Sequence, residues 1–556
     1  YNSALGYAAL NATTTGSTNS AFGYLALSTN TVSSRNVAVG YQALTSSNTV
    51  AGNSYLVAVG AGALESNTSG RYNTALGGNA LSTNTTAENN VAVGTSAMYY
   101  NTTGDTNTAV GATSLYENTT GSNNTALGMH ALKSNTTASN NTAVGNLAGY
   151  STTTGFANSV VGYGALNLST TGYHNVALGF NSLSSNITGS QNVAIGTEAL
   201  LSHLTNNTTA VGHDSLRSNT TGISNVALGY GSLFSNTTGS SNVALGYLGL
   251  YNNTTANTNV AVGHVALQYN TTGASNVAVG YNALNDNTTG NNNVAVGGLA
   301  LDASTTASSN VAVGYETLTS NTTGTQNTAV GWQAGYSNTT AGEITAIGYY
   351  ALRNSTGVSN TALGRYAGYN ITTGVQNVCL GEASGTNITT GTRGIYIGKN
   401  TSASGVAATN EISISTRATS NGKGNSTGYI DPNGGGVYQG NNSSNWSTVS
   451  DRRLKKNIVD NTEGLALINA IRVRNFEYLT ADEITEVDPS NVVGVSGIQL
   501  GVIAQELEDV CPDCIKQEST GIKTVITDDL MWHMLNAIKE LSAKNDALEA
   551  RLAALE

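Results

Sequence analysis

Proline, charge and sulfur are all scarce in this chain. Only three prolines occur in 556 residues, at 432, 489 and 512. At the usual frequency of ~5% the first 431 residues alone would hold about 20. Charged residues make up 10% and aromatics 6%. Three cysteines, at 379, 511 and 514, are too few for a disulfide framework. No run of 18 apolar residues exists, so no membrane-spanning helix or membrane insertion is expected. The net charge of -11 divides into -4 before residue 416 and -7 after it, with no basic run, which argues against a nucleic-acid partner. The same division separates 20 charges in residues 1–415 from 33 in residues 416–556. An unusual architecture is therefore joined to a small domain of ordinary composition. The chain opens at Tyr1 in mid-pattern without a signal segment, and the expectation is a fragment whose missing N-terminal part carries the attachment to a parent structure.

Glycine is what the first part has in abundance, and it is periodic. Residues 276–292 read NVAVGYNALNDNTTGNN, and the next segment opens NVAVGGLAL. The core N-x-A-x-G places 24 glycines from Gly6 to Gly398, spaced 17 apart except for one step of 20 and two of 16. A last copy, EISIS, ends at Ser415. Low charge with abundant Asn, Thr, Ser and Gly would also suit disorder, but disorder holds no phase over 400 residues. Strict self-similarity marks a stacked solenoid.

The repeat unit favours β-structure. In N-V-A-V-G large and small residues alternate with period two. The reading is that Val277 and Val279 fill the coil interior while Ala278 and Gly280 present a flat outer face. Leu284, Leu267, Leu250 and Leu233, four residues beyond their glycines, give a second inward anchor. N-T-T-G supplies the turn, with Gly or Asn available for positive φ. Stacking aligns Asn225, Asn242, Asn259, Asn276 and Asn293 in an amide ladder. It also explains the missing prolines, because each coil pairs above and below. At ~4.8 Å per coil, 25 coils make a rod of roughly 120 Å. A 17-residue coil encloses little volume, so self-association, as a homotrimer around a fibre axis, is expected.

These repeats resemble the β-roll heads of trimeric autotransporter adhesins, whose core is S/N-V-A-I-G, and the N-T-A-x-G-Y-x-A-L repeats of phage tail fibres and related bacterial fibres. The resemblance covers residues 1–415 and concerns fold more than ligand.

As a binding or catalytic surface the repeats offer little. Twelve acids, among them Glu65, Glu88, Asp105 and Glu117, are spread over 25 coils, seldom two together, unlike the paired carboxylates of a glycan-cleaving tailspike. His213 and His264 hold the same position three coils apart, about 14 Å along the rod, too far to share a metal. Tyrosines follow many glycines (Tyr7, Tyr24, Tyr41, Tyr230, Tyr247, Tyr281, Tyr315, Tyr349). They suit a packing ladder at the coil corner better than a sugar-stacking stripe. Thr288 and Thr289 are adjacent and precede a turn, so they do not share the flat face of an ice-binding solenoid. The N-x-T triplets are turn chemistry rather than glycan acceptors.

From Arg417 to Val449 the phase is lost, and a Gly/Asn/Ser-rich connector including PNGGG follows. EGLALINAIRVRNFEYL then predicts a short amphipathic helix with Leu465, Ile468 and Ile471 inward, followed by a strand through Val473, Phe476 and Tyr478. GVIAQELEDVCPDC predicts a second helix stopped by Pro512. Met531, Met534, Ile538, Leu541, Asn545, Leu548, Leu552 and Leu555 keep 3–4 spacing to the chain end, the seam of a coiled coil over 528–556. Asn545 in that seam costs stability but specifies register and oligomer state. Cys511 and Cys514 fit a redox pair or half a zinc site. One pair gives only two ligands, so apolar packing is expected, as for Cys379 in place of a repeat alanine. No metal or other cofactor is expected.

S-D-R-R-L-K-K-N-I (450–458), G-V-I-A-Q-E-L-E (501–508) and A-I-K-E-L (537–541) resemble, in that order, the C-terminal intramolecular chaperone domain of endosialidases and phage tail fibres. The resemblance implies a domain that trimerises, brings three chains into register and then cuts itself off before its serine. It makes Ser450 the nucleophile, Lys455 the general base and Val449–Ser450 the scissile bond. A serine hydroxyl does need a nearby base, and a lysine serves when burial lowers its pKa.

The expected organisation is an all-β parallel solenoid over 1–416, a connector over 417–449 and a small α+β chaperone over 450–556. The expected function is an extracellular trimeric fibre, on a virion tail or a cell surface. It would attach to an unidentified cell-surface receptor or glycan, and its only chemistry would be one self-cleavage. The alternatives are a bacterial adhesin whose repeats bind directly and an ice- or glycan-binding solenoid.

Overall fold

A computed structural model describes every residue except 48–51, 418–419, 433–436, 441–445, 449–450, 488–492, 494, 519–520 and 556. The chain divides into two compact units, Tyr1–Val449 and Ser450–Glu556.

The first unit is a parallel β-solenoid of about 25 turns of 17 residues. A typical coil contributes one three-residue strand, the V-A-V of the repeat. Val277–Val279 pairs in parallel with Val260–Val262 on one side and Val294–Val296 on the other, each residue opposite its equivalent. This register runs from Ser3–Leu5 to Ile412–Ser415. It continues for one coil past residue 416, where Gly428–Asp431 pairs in parallel with Ile412–Ser415. Two antiparallel strands, Val437–Gln439 and Trp446–Thr448, then extend the sheet, so part of the expected connector belongs to it.

Outside the strand the backbone still bonds from coil to coil. Gly280 N–H donates to Val262 O at 2.8 Å and Asn282 N–H to His264 O at 3.2 Å, toward the preceding coil. Leu284 N–H donates to Ala300 O at 2.9 Å and Thr288 N–H to Thr305 O at 2.8 Å, toward the next. A proline at any of these positions would leave a carbonyl of the neighbouring coil unpaired.

The period-two reading of V-A-V is right in alternation and inverted in phase. Ala278 is fully buried, whereas Val277 and Val279 face outward and are only half-buried. Elsewhere the outward residue is openly exposed, as Leu228 and Leu363 are at 50%. The reason is width. Besides Gly280 (φ 140°), this coil carries three left-handed residues, Asn282 (φ 51°), Leu284 (φ 51°) and Asn292 (φ 58°), a pattern that recurs along the stack. So tight a coil leaves an interior that Ala278, Ala283, Leu284, Asn276 and Asn287 fill completely. A leucine in the left-handed region costs about 1–2 kcal/mol, and burying its side chain returns about 2 kcal/mol. Leu284 therefore holds as an inward anchor despite its backbone. Gly280 is obligatory for a second reason: a Cβ there would lie 2.5 Å from Gly297 O. The glycine of N-T-T-G does not adopt positive φ; at Gly290 a side chain would strike the Ala307 carbonyl.

Asparagine forms two buried ladders. In the first, Asn276 Oδ1 accepts from Asn293 N–H at 2.9 Å and Asn276 Nδ2 donates to Gly290 O at 2.8 Å. These amides bridge to backbone more than to one another. The second ladder, from N-T-T-G, is the amide-to-amide one: Asn287 Nδ2 donates to Asn270 Oδ1 at 2.8 Å, and Asn270 Nδ2 to Asn253 Oδ1 at 2.9 Å. Near the end of the stack the first ladder changes hands. Gly394 stands where an asparagine would, because the buried Tyr396 ring occupies that space. One coil on, the buried Glu411 accepts from Gly424 N–H at 2.8 Å and Ser404 N–H at 3.0 Å.

In the second unit α1 (Leu465–Ala470) precedes the strand Arg474–Phe476, which pairs antiparallel with Gln499–Gly501. The helix α2 (Ala504–Glu508) leads to a 3-10 turn at Pro512–Cys514, a hairpin of Ile515–Gln517 with Lys523–Val525, and the long helix α3 (Thr527–Ala553). Its core is small: Leu507, Cys511 and Cys514, with Leu467, Ile471, Val502, Ile515, Val525 and Leu530 packed around them.

The asparagine ladder yields the first test. Asn276→Ala leaves the Asn293 N–H buried without its acceptor, while the Gly290 carbonyl keeps Asn287 Nδ2 at 3.1 Å, a loss of about 3 kcal/mol. Hydrogen exchange is expected to quicken by about 100-fold at the Asn293 amide and to stay unchanged several coils away. Unaltered protection at Asn293 would contradict the ladder's role.

Candidate functional site

Three features carry chemistry or surface: the junction where the second unit begins, the apolar seam of α3, and the outward stripes of the solenoid.

At the junction, Val449 and Ser450 lie outside the described residues. The segment after them is built by local bonds. Asp451 Oδ1 accepts from Arg453 N–H at 2.8 Å and caps a 3-10 turn over Arg452–Leu454. The Arg453 guanidinium grips the same carboxylate at 2.6 Å and holds its pKa below the usual carboxylate range. Lys455 N–H closes the turn on Arg452 O at 3.1 Å. This turn shortens the path between Asp451 and Lys455. Lys455 is solvent-exposed in the single chain.

The seam of α3 is uncovered. Met531, Met534, Ile538, Leu541, Leu548, Leu552 and Leu555 are all more than half exposed, and Asn545 bonds along its own helix to Glu549 Oε1 at 2.9 Å. The upper seam faces α1, where Leu465, Ile468, Met534, Ala537, Ile538 and Leu541 line an apolar groove of about 200 Å³. Polar contacts hold this groove in shape. Asn536 Nδ2 donates to Asn461 O at 2.9 Å, and Leu465 N–H donates to Glu540 Oε2 at 3.2 Å. Gly464 is required at the close approach, since a Cβ there would lie 2.6 Å from Ala537 N.

Along the solenoid the tyrosines stack as a corner ladder. Tyr7, Tyr24 and Tyr41 have centroids 5.2 Å apart, and His213, Tyr230, Tyr247 and His264 continue one column at 5.5, 5.5 and 5.0 Å. Two tyrosine rings thus separate His213 from His264. Tyr7, Tyr24, Tyr41, Tyr230 and Tyr247 each keep more than 40% of their surface exposed. Of Thr288 and Thr289, the first turns its Oγ1 to Thr305 O at 3.0 Å and the second faces solvent.

Two features escaped sequence reasoning. Cys511 and Cys514 are buried as expected, but they are joined in a disulfide rather than simply packed. His533 of α3 brings a ring nitrogen to the same place, so that three potential ligand atoms lie within 4.8 Å of one another. The spacing of the cysteines showed two ligands; the third is 19 residues on and reaches them only through the fold. Cys379 does behave as an apolar residue, its thiol pushed up to about 12 by burial.

The other is His203, which replaces an asparagine of the second ladder. It is completely buried, accepting at Nδ1 from Asn219 Nδ2 at 2.8 Å and donating from Nε2 to Asn192 Oδ1 at 3.2 Å, a pairing that only the neutral ring makes. Burial lowers its pKa to about 4. Between pH 6.5 and 4 the unfolded chain then binds the extra proton, so stability falls as pH drops through that window. His203→Asn is expected to gain about 3 kcal/mol over the parent at pH 4 relative to pH 7, read from denaturant melts at both pH values. Asp302, pushed up to about 6 by burial and by Asp286, acts in the opposite sense but alike in both proteins, so it cancels. A pH-independent difference would refute the assignment.

Residues 450–516 match the model of the family described as the chaperone of endosialidase. No curated protein and no solved structure matches the chain. A chaperone-of-endosialidase segment following a parallel β-solenoid of about 25 turns of 17-residue repeats fits a protein of the tail-fibre type.

Proposed function

We propose that the chain is one subunit of a homotrimeric, extracellular attachment fibre, a virion tail fibre or a cell-surface fibre. Its C-terminal unit aligns three chains and is then released by its own Ser450. The observation that carries this reading is the pairing of two opposites in one chain: a stack of nearly interchangeable coils, and a non-repetitive unit with a long uncovered seam. Slipping one stack by 17 residues against another loses a single coil of contacts, so the repeats specify register weakly. A seam interrupted by Asn545 specifies it well. The outward Val and Leu stripe gives each stack a continuous apolar surface for its partners to cover.

Cleavage follows from the junction chemistry. Ser450 Oγ attacks the Val449 carbonyl carbon while the Lys455 amine takes the hydroxyl proton. The C–N bond breaks, freeing the Ser450 α-amino group and leaving Val449 as an ester on Oγ. Water then hydrolyses the ester, giving a carboxylate at Val449 and restoring the serine. The attack is intramolecular, so proximity supplies much of the rate. Lys455 must be neutral to act, which calls for burial; its exposure in the single chain makes assembly the step that supplies it.

A second reading, an adhesin whose repeats bind directly, draws on the half-exposed tyrosine ladders, which offer aromatic faces to a sugar.

Denaturing gels and N-terminal sequencing test the cleavage. The assembled wild type is expected to give a new N-terminus at Ser450, Ser450→Ala to stay intact, and Lys455→Met to slow by at least about 100-fold. A wild type that assembles and remains full length would refute it. Separately, Ile538→Asp with Leu541→Asp is expected to turn trimers into monomers in ultracentrifugation. Monomers from the wild type would refute the trimer.

A further inference from the structure

We propose that in the reduced chain Cys511, Cys514 and His533 form a zinc site that ties the 3-10 turn at Pro512–Cys514 to α3. The two cysteines sit at the ends of that turn with Cα atoms 5.3 Å apart, close enough for both sulfurs to reach one ion. Both are buried, and His533 brings a ring nitrogen within 4.8 Å of them from a different element.

The orientation of the ring supports the assignment. His533 Nδ1 lies 3.0 Å from Glu463 O. A carbonyl only accepts, so Nδ1 carries the proton and Nε2 keeps the lone pair. A backbone carbonyl on one ring nitrogen is the usual support of a histidine that binds metal through the other, so the proposed site uses Nε2. Two thiolates and one imidazole are soft and borderline ligands that suit zinc, and three protein ligands leave a fourth position for water. His533 is only half-buried, so solvent has access. On loading, two Zn–S bonds and one Zn–N bond form and each thiol releases one proton, which leaves the site neutral. The disulfide is the competing oxidised state, which uses the same sulfurs and drops the link to α3. The site has structural weight because, among the described residues, Leu507 and the two cysteines form the buried hydrophobic cluster of this unit. It also has a position: His533 lies between seam residues Met531 and Met534.

The test uses the full chain, reduced and kept anaerobic, titrated with Co²⁺ as the spectroscopic probe and then with Zn²⁺. About one cobalt per chain is expected, with thiolate-to-metal charge-transfer absorption that Zn²⁺ abolishes. His533→Gln is expected to weaken binding at least 10-fold. Cys511→Ser with Cys514→Ser is expected to remove the charge-transfer band. The wild type oxidised with a diazene that takes two electrons and two protons from the thiols serves as the folded control and is expected to bind no cobalt. Absence of a thiolate band in the reduced wild type, equal binding by His533→Gln, or equal binding by the oxidised wild type would each overturn the proposal.

Discussion

Everything in the first unit depends on one constraint: each coil must present to the next the groups it received from the one before. Because most backbone bonds run between coils, a coil satisfies few of its own amides, the Asn287 N–H on Leu284 O being one of them. Asn276 donates its N–H to Asn259 Oδ1 and accepts at its own Oδ1 from Asn293 N–H. The 17-residue period, the absence of proline and the glycines at 280 and its equivalents are consequences of that handing on. So is the low charge, since like charges one above another would repel at every step.

The same constraint explains what was legible in the sequence. Period, strand position, stacking and the buried Asn276 ladder follow from residues that recur, and recurrence is visible in one dimension. The sense of the V-A-V alternation was not. Alternation marks two faces without saying which lies inside, and the deciding quantity, the coil's width, depends on left-handed residues such as Leu284 that no propensity favours. Only afterwards does the bulk of Val277 and Val279 make sense as outward surface. His203 was equally hidden, because its role comes from the ladder position it occupies rather than from its neighbours in sequence.

In the second unit legibility divides differently. The seam from Met531 to Leu555 is a local spacing, and α3 follows it closely. The meeting of Cys511, Cys514 and His533 is a product of tertiary folding: a 3-10 turn and a helix brought together across a hairpin. The junction is legible only as a motif, with Asp451 and Arg453 shaping the turn that leads to Lys455.

The two units set opposite problems, and their compositions answer them. A stack grows stable by adding equivalent coils, and equivalence is what makes its alignment against another stack ambiguous. A small unit whose buried cluster, among the described residues, is Leu507, Cys511 and Cys514 has no such ambiguity but little stability of its own. In the proposed fibre the second unit is needed while the register is being chosen. Once the outward valine stripes are covered, every added coil increases the cost of sliding, and the aligning unit becomes dispensable. Placing the proposed scissile bond at the boundary between the two is therefore consistent with the energetics of both. Alignment is needed once, whereas the stack's own bonds persist.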